Sequence, residues 1–170
     1  MNGGDEGAFE VLYYRHRDWV VNLARRFTGD ADLALDVLQE TFFYFLKKFP
    51  GFTLTCQFRS FLYPVVRNLS LTARRKAERG QSDGAELDEL PAFASCQPED
   101  RESGHSHLAE VLAGLSEEHR EVLLLRFVDG LRLGEIAEAM EIPLGTVKSR
   151  LHNALELLRE DPRTKEFFAP

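Results

Sequence analysis

The chain has 170 residues, 44% apolar and 11% aromatic, with 28 acidic against 21 basic side chains and a formal charge of -7. That length suits one ordinary domain or two small ones, and the apolar and aromatic content excludes a generally disordered chain. No apolar run is long enough for a bilayer and nothing resembles a secretory leader, so a cytoplasmic protein without membrane insertion is expected.

Residues 8–28 place Phe9, Leu12, Tyr13, Val20, Leu23, Ala24 and Phe27 at helical spacing. Gly29-Asp30 ends that helix, and Asp30 or Asp32 can cap the next. From Leu33 to Phe49, the set Ala34, Val37, Leu38, Phe42, Phe45, Leu46 and Phe49 forms a broad apolar stripe that Pro50-Gly51 terminates. Its other face has Asp36, Gln39, Glu40, Tyr44 and Lys47, which on amphipathicity alone is a solvated surface.

Charge is unevenly spread. Residues 1–52 hold six basic and eight acidic side chains, net -2, whereas residues 53–80 hold six and one, net +5. This basic stretch interleaves Arg59, Arg67, Arg74, Arg75 and Lys76 with Phe58, Phe61 and Tyr63. Such a local stripe, not the total charge, sets the field that a phosphate backbone meets. Core packing is the competing role for the three rings, and at least one is expected to be buried. Pro64 predicts a helix beginning at Ser60 or Phe61, because only near a helix start does its missing amide go unneeded. Residues 81–104 hold one basic and seven acidic side chains, net -6, and mix Gly, Pro and Ser, which reads as a flexible interdomain linker.

The second half opens with Leu108, Val111, Leu112 and Leu115. Ser116 caps a helix with Glu117-Glu118 in its first turn, which runs until Gly130. Residues 131–160 then read as two helices joined by a tight turn. Ile136, Ala137 and Met140 repeat at one-turn spacing before Ile142-Pro143 stops the first helix. In the second, starting near Gly145, Val147, Leu151, Ala154 and Leu158 share one side. The opposite side carries Ser149, His152, Asn153 and Glu156, flanked by Thr146 and Lys148. Short polar and basic side chains over the first two turns of an exposed helix suit the DNA major groove. The fold class expected is all-α, with two small helical domains and a helix-turn-helix in the later one.

The run EIAEAMEIPLGTVKSRLHNA resembles region four of bacterial RNA polymerase sigma factors. DVLQETFFYFLKKFPGF followed by FRSFLYPVVRNLSLTARRKAER resembles sigma region two. Both regions in this order, over about residues 8–80 and 105–160, are the layout of the extracytoplasmic-function (ECF) sigma factors. Response regulators share the terminal motif more loosely, but their receiver domain would need β-like alternation that this chain lacks. The resemblance implies a region-two domain at 1–80, an acidic linker at 81–104 and a region-four domain at 105–170. It implies core polymerase binding by Asp36, Gln39, Glu40 and Phe42. It implies binding and melting of the downstream promoter element by Phe58, Arg59, Phe61, Tyr63, Arg67, Asn68, Arg74, Arg75 and Lys76. Upstream promoter DNA would be met by Thr146, Lys148, Ser149, Arg150, His152 and Asn153. Core RNA polymerase and promoter DNA are therefore the expected partners, with an anti-sigma factor as a further one, for which Leu155 and Leu157 are suited.

The chain departs from the usual pattern at several positions. Phe61 stands where tryptophan is usual and Pro64 where a helix former is. Arg132 replaces a capping Ser, and Glu141 replaces a turn glycine. Asn153 and Leu155 replace basic residues, so fewer phosphate contacts and weak DNA binding by 105–170 alone are expected. Cys56 and Cys96 lack metal spacing, the five histidines form no ligand motif, and no glycine-rich phosphate loop or nucleophile-base set is present. No enzyme, cofactor or metal is expected. Two other readings compete: a sigma-like protein that sequesters an anti-sigma factor or polymerase, and an ordinary helix-turn-helix repressor that binds its operator without polymerase.

Overall fold

A computed structural model describes residues 6–48, 53–81 and 110–164, and these are helical with short turns, without a strand among them. The chain divides into two units. The first holds α1 (Glu6–Thr28), α2 (Ala31–Lys48) and α3 (Phe58–Gln81), each packed on the other two. The second holds a helical segment α4 (residues 110–113), α5 (Glu117–Phe127), α6 (Leu133–Met140) and α7 (Leu144–Glu160). The acidic stretch expected as a linker lies outside the described residues from 82 onward, as do Phe49, Cys96 and Leu108.

Local chemistry sets the helix ends. Gly29 follows α1 with φ 71°, a left-handed conformation that costs glycine little, and its amide donates to Arg25 O at 2.9 Å. One residue on, Asp30 Oδ1 accepts the Leu33 amide at 2.8 Å and so caps α2. Gly130, with φ 72°, performs the same turn after α5.

The core of the first unit is aromatic. Phe45 is 1% exposed and its ring lies 4.9 Å from Phe58, 6.2 Å from Phe9 and 6.3 Å from Phe61. Phe42 meets Tyr13 edge-on at 4.9 Å. Such pairs add about 0.5–1.5 kcal/mol each beyond their buried area.

The start of α3 departs from the expectation built on Pro64. The helix begins at Phe58, with the Phe61 amide donating to Gln57 O at 3.0 Å, and continues through Pro64 as its seventh residue. An interior proline costs about 3 kcal/mol through a lost bond and a clash. Against it, burial of Phe58 and Leu62 contributes about 1.5–3 kcal/mol each. The ring of Phe58 anchors the helix one turn earlier than the proline alone would place it.

The second unit buries Val111, Leu115, Leu123, Ala154 and Leu158 as one cluster, with Leu112 and Leu155 against it. The C-terminal end of α4 presents carbonyls that no helix continues to satisfy. Arg120 supplies the donors: Nε reaches Leu112 O at 2.7 Å, and Nη2 reaches Ala113 O and Leu115 O at 2.8 Å each. Burial holds the Arg120 pKa below its ordinary value, while three accepting carbonyls keep the cation in place. Arg126 does similar work at the next turn, donating to Leu131 O at 3.1 Å.

Candidate nucleic-acid and partner interfaces

In α2 the apolar stripe and the polar face separate as residue spacing requires. Val37, Leu38, Thr41, Phe42 and Phe45 are buried, whereas Asp36, Gln39 and Glu40 are exposed on the other side. Phe42 was expected in a partner contact; its ring is 3% exposed and packs on Phe9 and Tyr13, so it supports the face from beneath. The exposed ring is its neighbour Phe43, at 55%. With about 100° per residue, Leu35, Gln39, Phe43 and Leu46 share one stripe, and all four are exposed. Leu46 was expected among the core residues, but its direction is that of Gln39. Phe43 carries the ammonium of Lys47 over its ring at 4.4 Å, and Tyr44 that of Lys48 at 5.5 Å. The face thus joins carboxylates and an amide to apolar side chains, a mixture suited to another protein surface. Sequence reasoning missed Phe43, although its place four residues after Gln39 was a usable signal.

Along α3, the three candidate rings part company. Phe58 and Tyr63 are buried, at 9% and 1%, and cannot stack on an unpaired base in this conformation; Phe61 is half-buried. The burial follows from spacing: Phe58, Leu62 and Val66 succeed one another at four-residue intervals toward α1 and α2, and Tyr63 lies beside Phe27 at 6.3 Å. The cations differ too. Arg75 and Lys76 are exposed, as is the neutral Asn68. Arg74 instead donates Nη1 to Phe27 O at 3.4 Å and pairs its Nε with Glu78 at 3.1 Å, so it braces the end of α1. Arg59 lies over the buried Trp19 ring at 5.5 Å, and Arg67 is half-buried. Close by, His16 packs on Phe58 at 4.8 Å, and burial with the charges of Arg59 and Arg15 lowers its pKa to about 4.

In the second unit α6 and α7 are joined by a two-residue turn and Pro143. Glu141 adopts φ 54°, ψ 40°, the left-handed conformation that its place in a turn requires, and the Ile142 amide closes the turn onto Ala137 O at 3.1 Å. At the start of α6 the Arg132 amide donates to Glu135 Oε2 at 2.7 Å. Only that half of a capping box forms, because a guanidinium has no acceptor to offer.

α7 begins at Leu144, one residue before Gly145, since Pro143 provides a pre-set φ at its threshold. Val147, Ala154 and Leu158 are buried, Leu151 is half-buried, and Lys148, Ser149, His152 and Asn153 are exposed. Thr146 is half-buried, and its carbonyl accepts the Ser149 hydroxyl at 3.0 Å. Arg150, expected to meet upstream DNA, is half-buried and pairs with Glu118, Nη2 to Oε2 at 2.8 Å. In the first three turns of α7, Lys148 is the exposed cationic residue. Leu157 is 47% exposed while Leu155 packs on the core. Beyond the helix, Arg163 grips Asp161 with Nε and Nη2 at 3.0 and 2.7 Å, which lowers the Asp161 pKa to about 2.

The sequence matches the model of sigma-70 region 2 over residues 12–80 and that of sigma-70 region 4 over residues 111–160. It is 34% identical over 152 residues to the ECF RNA polymerase sigma factor SigL of Mycobacterium tuberculosis, covering 88% of this chain and 85% of that protein. It is 29% identical to the ECF RNA polymerase sigma factor SigW of Bacillus subtilis, covering 94% and 91% of the two chains. Two solved structures share the fold. CnrH in complex with the cytosolic domain of CnrY superposes with a TM-score of 0.65 at 22% identity, over 92% of this chain and 88% of the other. The sigma factor RpoE in complex with the anti-sigma factor NepR from Bartonella quintana gives 0.64 at 23%, over 90% and 95%.

Proposed function

The chain belongs to the ECF RNA polymerase sigma factors, and from that premise we propose a division of labour between its two helical units. The unit of α1–α3 binds core polymerase and opens the downstream promoter element. The unit of α4–α7 places the outer face of α7 in the major groove upstream. The protein directs core polymerase to promoters in the cytoplasm and contributes no bond-making chemistry of its own.

The observation that carries the reading is the exposure of Asp36, Gln39 and Glu40 on one side of α2 while Val37 and Leu38 between them, and Phe42 just beyond, are buried. Carboxylates and an amide so presented can accept hydrogen bonds from arginines of a partner helix. Leu35, Phe43 and Leu46 supply an apolar margin. On α3 the exposed Arg75 and Lys76 hold the phosphates of the separating strands in a salt-dependent way. Phe61 is the aromatic residue that keeps part of its ring accessible for an unstacked base, worth about 1–3 kcal/mol. Phe58 and Tyr63 serve the same segment as its core. An anti-sigma factor is a second partner, seated on exposed apolar residues such as Phe43 and Leu157; two proteins of the same fold were solved in complexes with such partners or with a cytosolic domain.

A sequestering role without initiation is the second reading, favoured by the sparse cations of α7. The experiment is capture of core polymerase followed by run-off transcription. Wild-type chain is expected to retain polymerase and to initiate, and the double substitution Gln39→Lys, Glu40→Lys to lose at least about tenfold in retention, as for charge reversal at an interface centre. Retention without any run-off product would favour sequestration. Undiminished retention by the double variant would place the polymerase contact elsewhere.

A further inference from the structure

Arg150 lies in the run that meets upstream DNA, yet its guanidinium is engaged within the protein. On the wheel of α7, Val147, Leu151, Ala154 and Leu158 point to the core and Ser149, His152 and Asn153 point away. Arg150 falls between the two sets, on the flank toward α5. There it pairs with Glu118 at 2.8 Å, its side chain 20% exposed against 65% for the glutamate. Glu118 occupies the first turn of α5, where the helix dipole favours a carboxylate and Ser116 caps the chain.

This contact differs in kind from the aliphatic cluster that the second unit buries. The attraction within that cluster is non-directional. An ion-paired N–H···O bond has a preferred direction and length. It adds a directional restraint on how far α7 is rotated about its own axis, beyond the packing of Val147, Ala154 and Leu158. Any such rotation would swing Lys148, Ser149 and His152 relative to the base edges they face. The pair itself is partly solvated and contributes little to stability, so its effect falls on recognition.

We infer that Arg150 is a positioning residue: through Glu118 it sets the rotation of α7 and hence the approach of Thr146, Lys148, Ser149 and His152 to the upstream promoter element. The inference rests on the promoter-reading role given to α7 above. It differs from a phosphate contact by Arg150 in one decisive respect, because it makes Glu118 as important as Arg150.

Four full-length proteins test it: wild type, Glu118→Arg, Arg150→Glu and the double reversal. Each is combined with core polymerase on promoter duplexes selected by the wild-type holoenzyme from a random-sequence library. Run-off yield and the salt dependence of complex formation are measured. Each single reversal is expected to lower the yield about tenfold, within the range of coupling between contacting residues. The double reversal should recover to within about threefold, with the log–log salt slope unchanged throughout. If Arg150 touches phosphate instead, Glu118→Arg will not lower the yield and the double will stay as poor as Arg150→Glu. The salt slope will then fall by about 0.9; that result overturns the inference. Should a reversal unfold the second unit by circular dichroism, Glu118→Gln, Arg150→Gln and their double replace it, and additive losses in that cycle refute the coupling. Absence of run-off by the wild type would refute the sigma-factor reading itself, before any variant is compared.

Discussion

The first unit's core is built on rings and the second unit's on branched aliphatics, and the arginines of the two are deployed accordingly. Trp19, Phe27, Phe42, Phe45, Phe58 and Tyr63 are buried in the first. In the second, Phe127 is the single Phe, Tyr or Trp among the described residues and is 60% exposed. A small aliphatic core of short helices leaves helix ends and connections to be satisfied: Arg120 donates to carbonyls at the end of α4, and Arg126 to Leu131 O in the turn between α5 and α6. In α3 the rings hold the helix down and Arg75 and Lys76 stay exposed. The difference teaches that a count of cations measures a nucleic-acid surface poorly: what matters is how many the fold has not already used.

The sharpest way to break this comparison is to remove a ring. Phe45→Ala is expected to cost about 3–5 kcal/mol, as for other buried phenylalanines. The loss should appear in the unfolding transition reported by Trp19, the chain's single tryptophan. A cost below about 1 kcal/mol would mean that the aromatic cluster is not the support it is taken to be. In the second unit, Arg120→Met leaves three carbonyls without their charged donor, for an expected loss of about 1.5–3 kcal/mol. Far-UV circular dichroism should register it while the tryptophan transition stays put.

Glu141→Gly works in the opposite direction. It relieves a left-handed φ of 54°, so denaturant unfolding of the second unit should show a gain of about 1 kcal/mol. A further effect is a response to pH in the first unit. His16 has its folded pKa lowered to about 4 from 6.5 by burial and by Arg59 and Arg15. The unfolded chain therefore binds the proton first, and stability is complete above pH 6.5 and declines as pH falls toward 4. Chemical denaturation at a series of pH values should show that decline, and His16→Leu should flatten it.

Much of the molecule was legible because it depends on near neighbours. The helical stripes, the Asp30 and Ser116 caps, the turn glycines and the left-handed Glu141 each follow from residues within one or two turns. So did the exposure of Gln39 and Glu40, and of Ser149 and His152. The beginning of α3 was misread because the local rule for Pro64 competes with burial of Phe58 against Phe45, a partner on another helix. Phe42 and Phe43 are adjacent and chemically alike, and only the packing of α1 on α2 shows which of them is enclosed. The contacts of Arg74 and Arg150 were illegible for a related reason. A long cationic side chain takes whichever acceptor the fold brings within reach, and for these two it is Phe27 O and Glu118.

The amino-acid sequence by itself determined two all-helical units, their order, their boundaries in α2 and α7 between apolar and polar faces, and membership of a family of transcription initiation factors. Hydrophobic periodicity and capping are short-range properties, and a motif travels with them. Tertiary structure alone decided which rings are core, which cations remain available to a phosphate, and that Arg150 leans on α5. Those outcomes turn on distances between residues remote in the chain, and no spacing along the sequence encodes them.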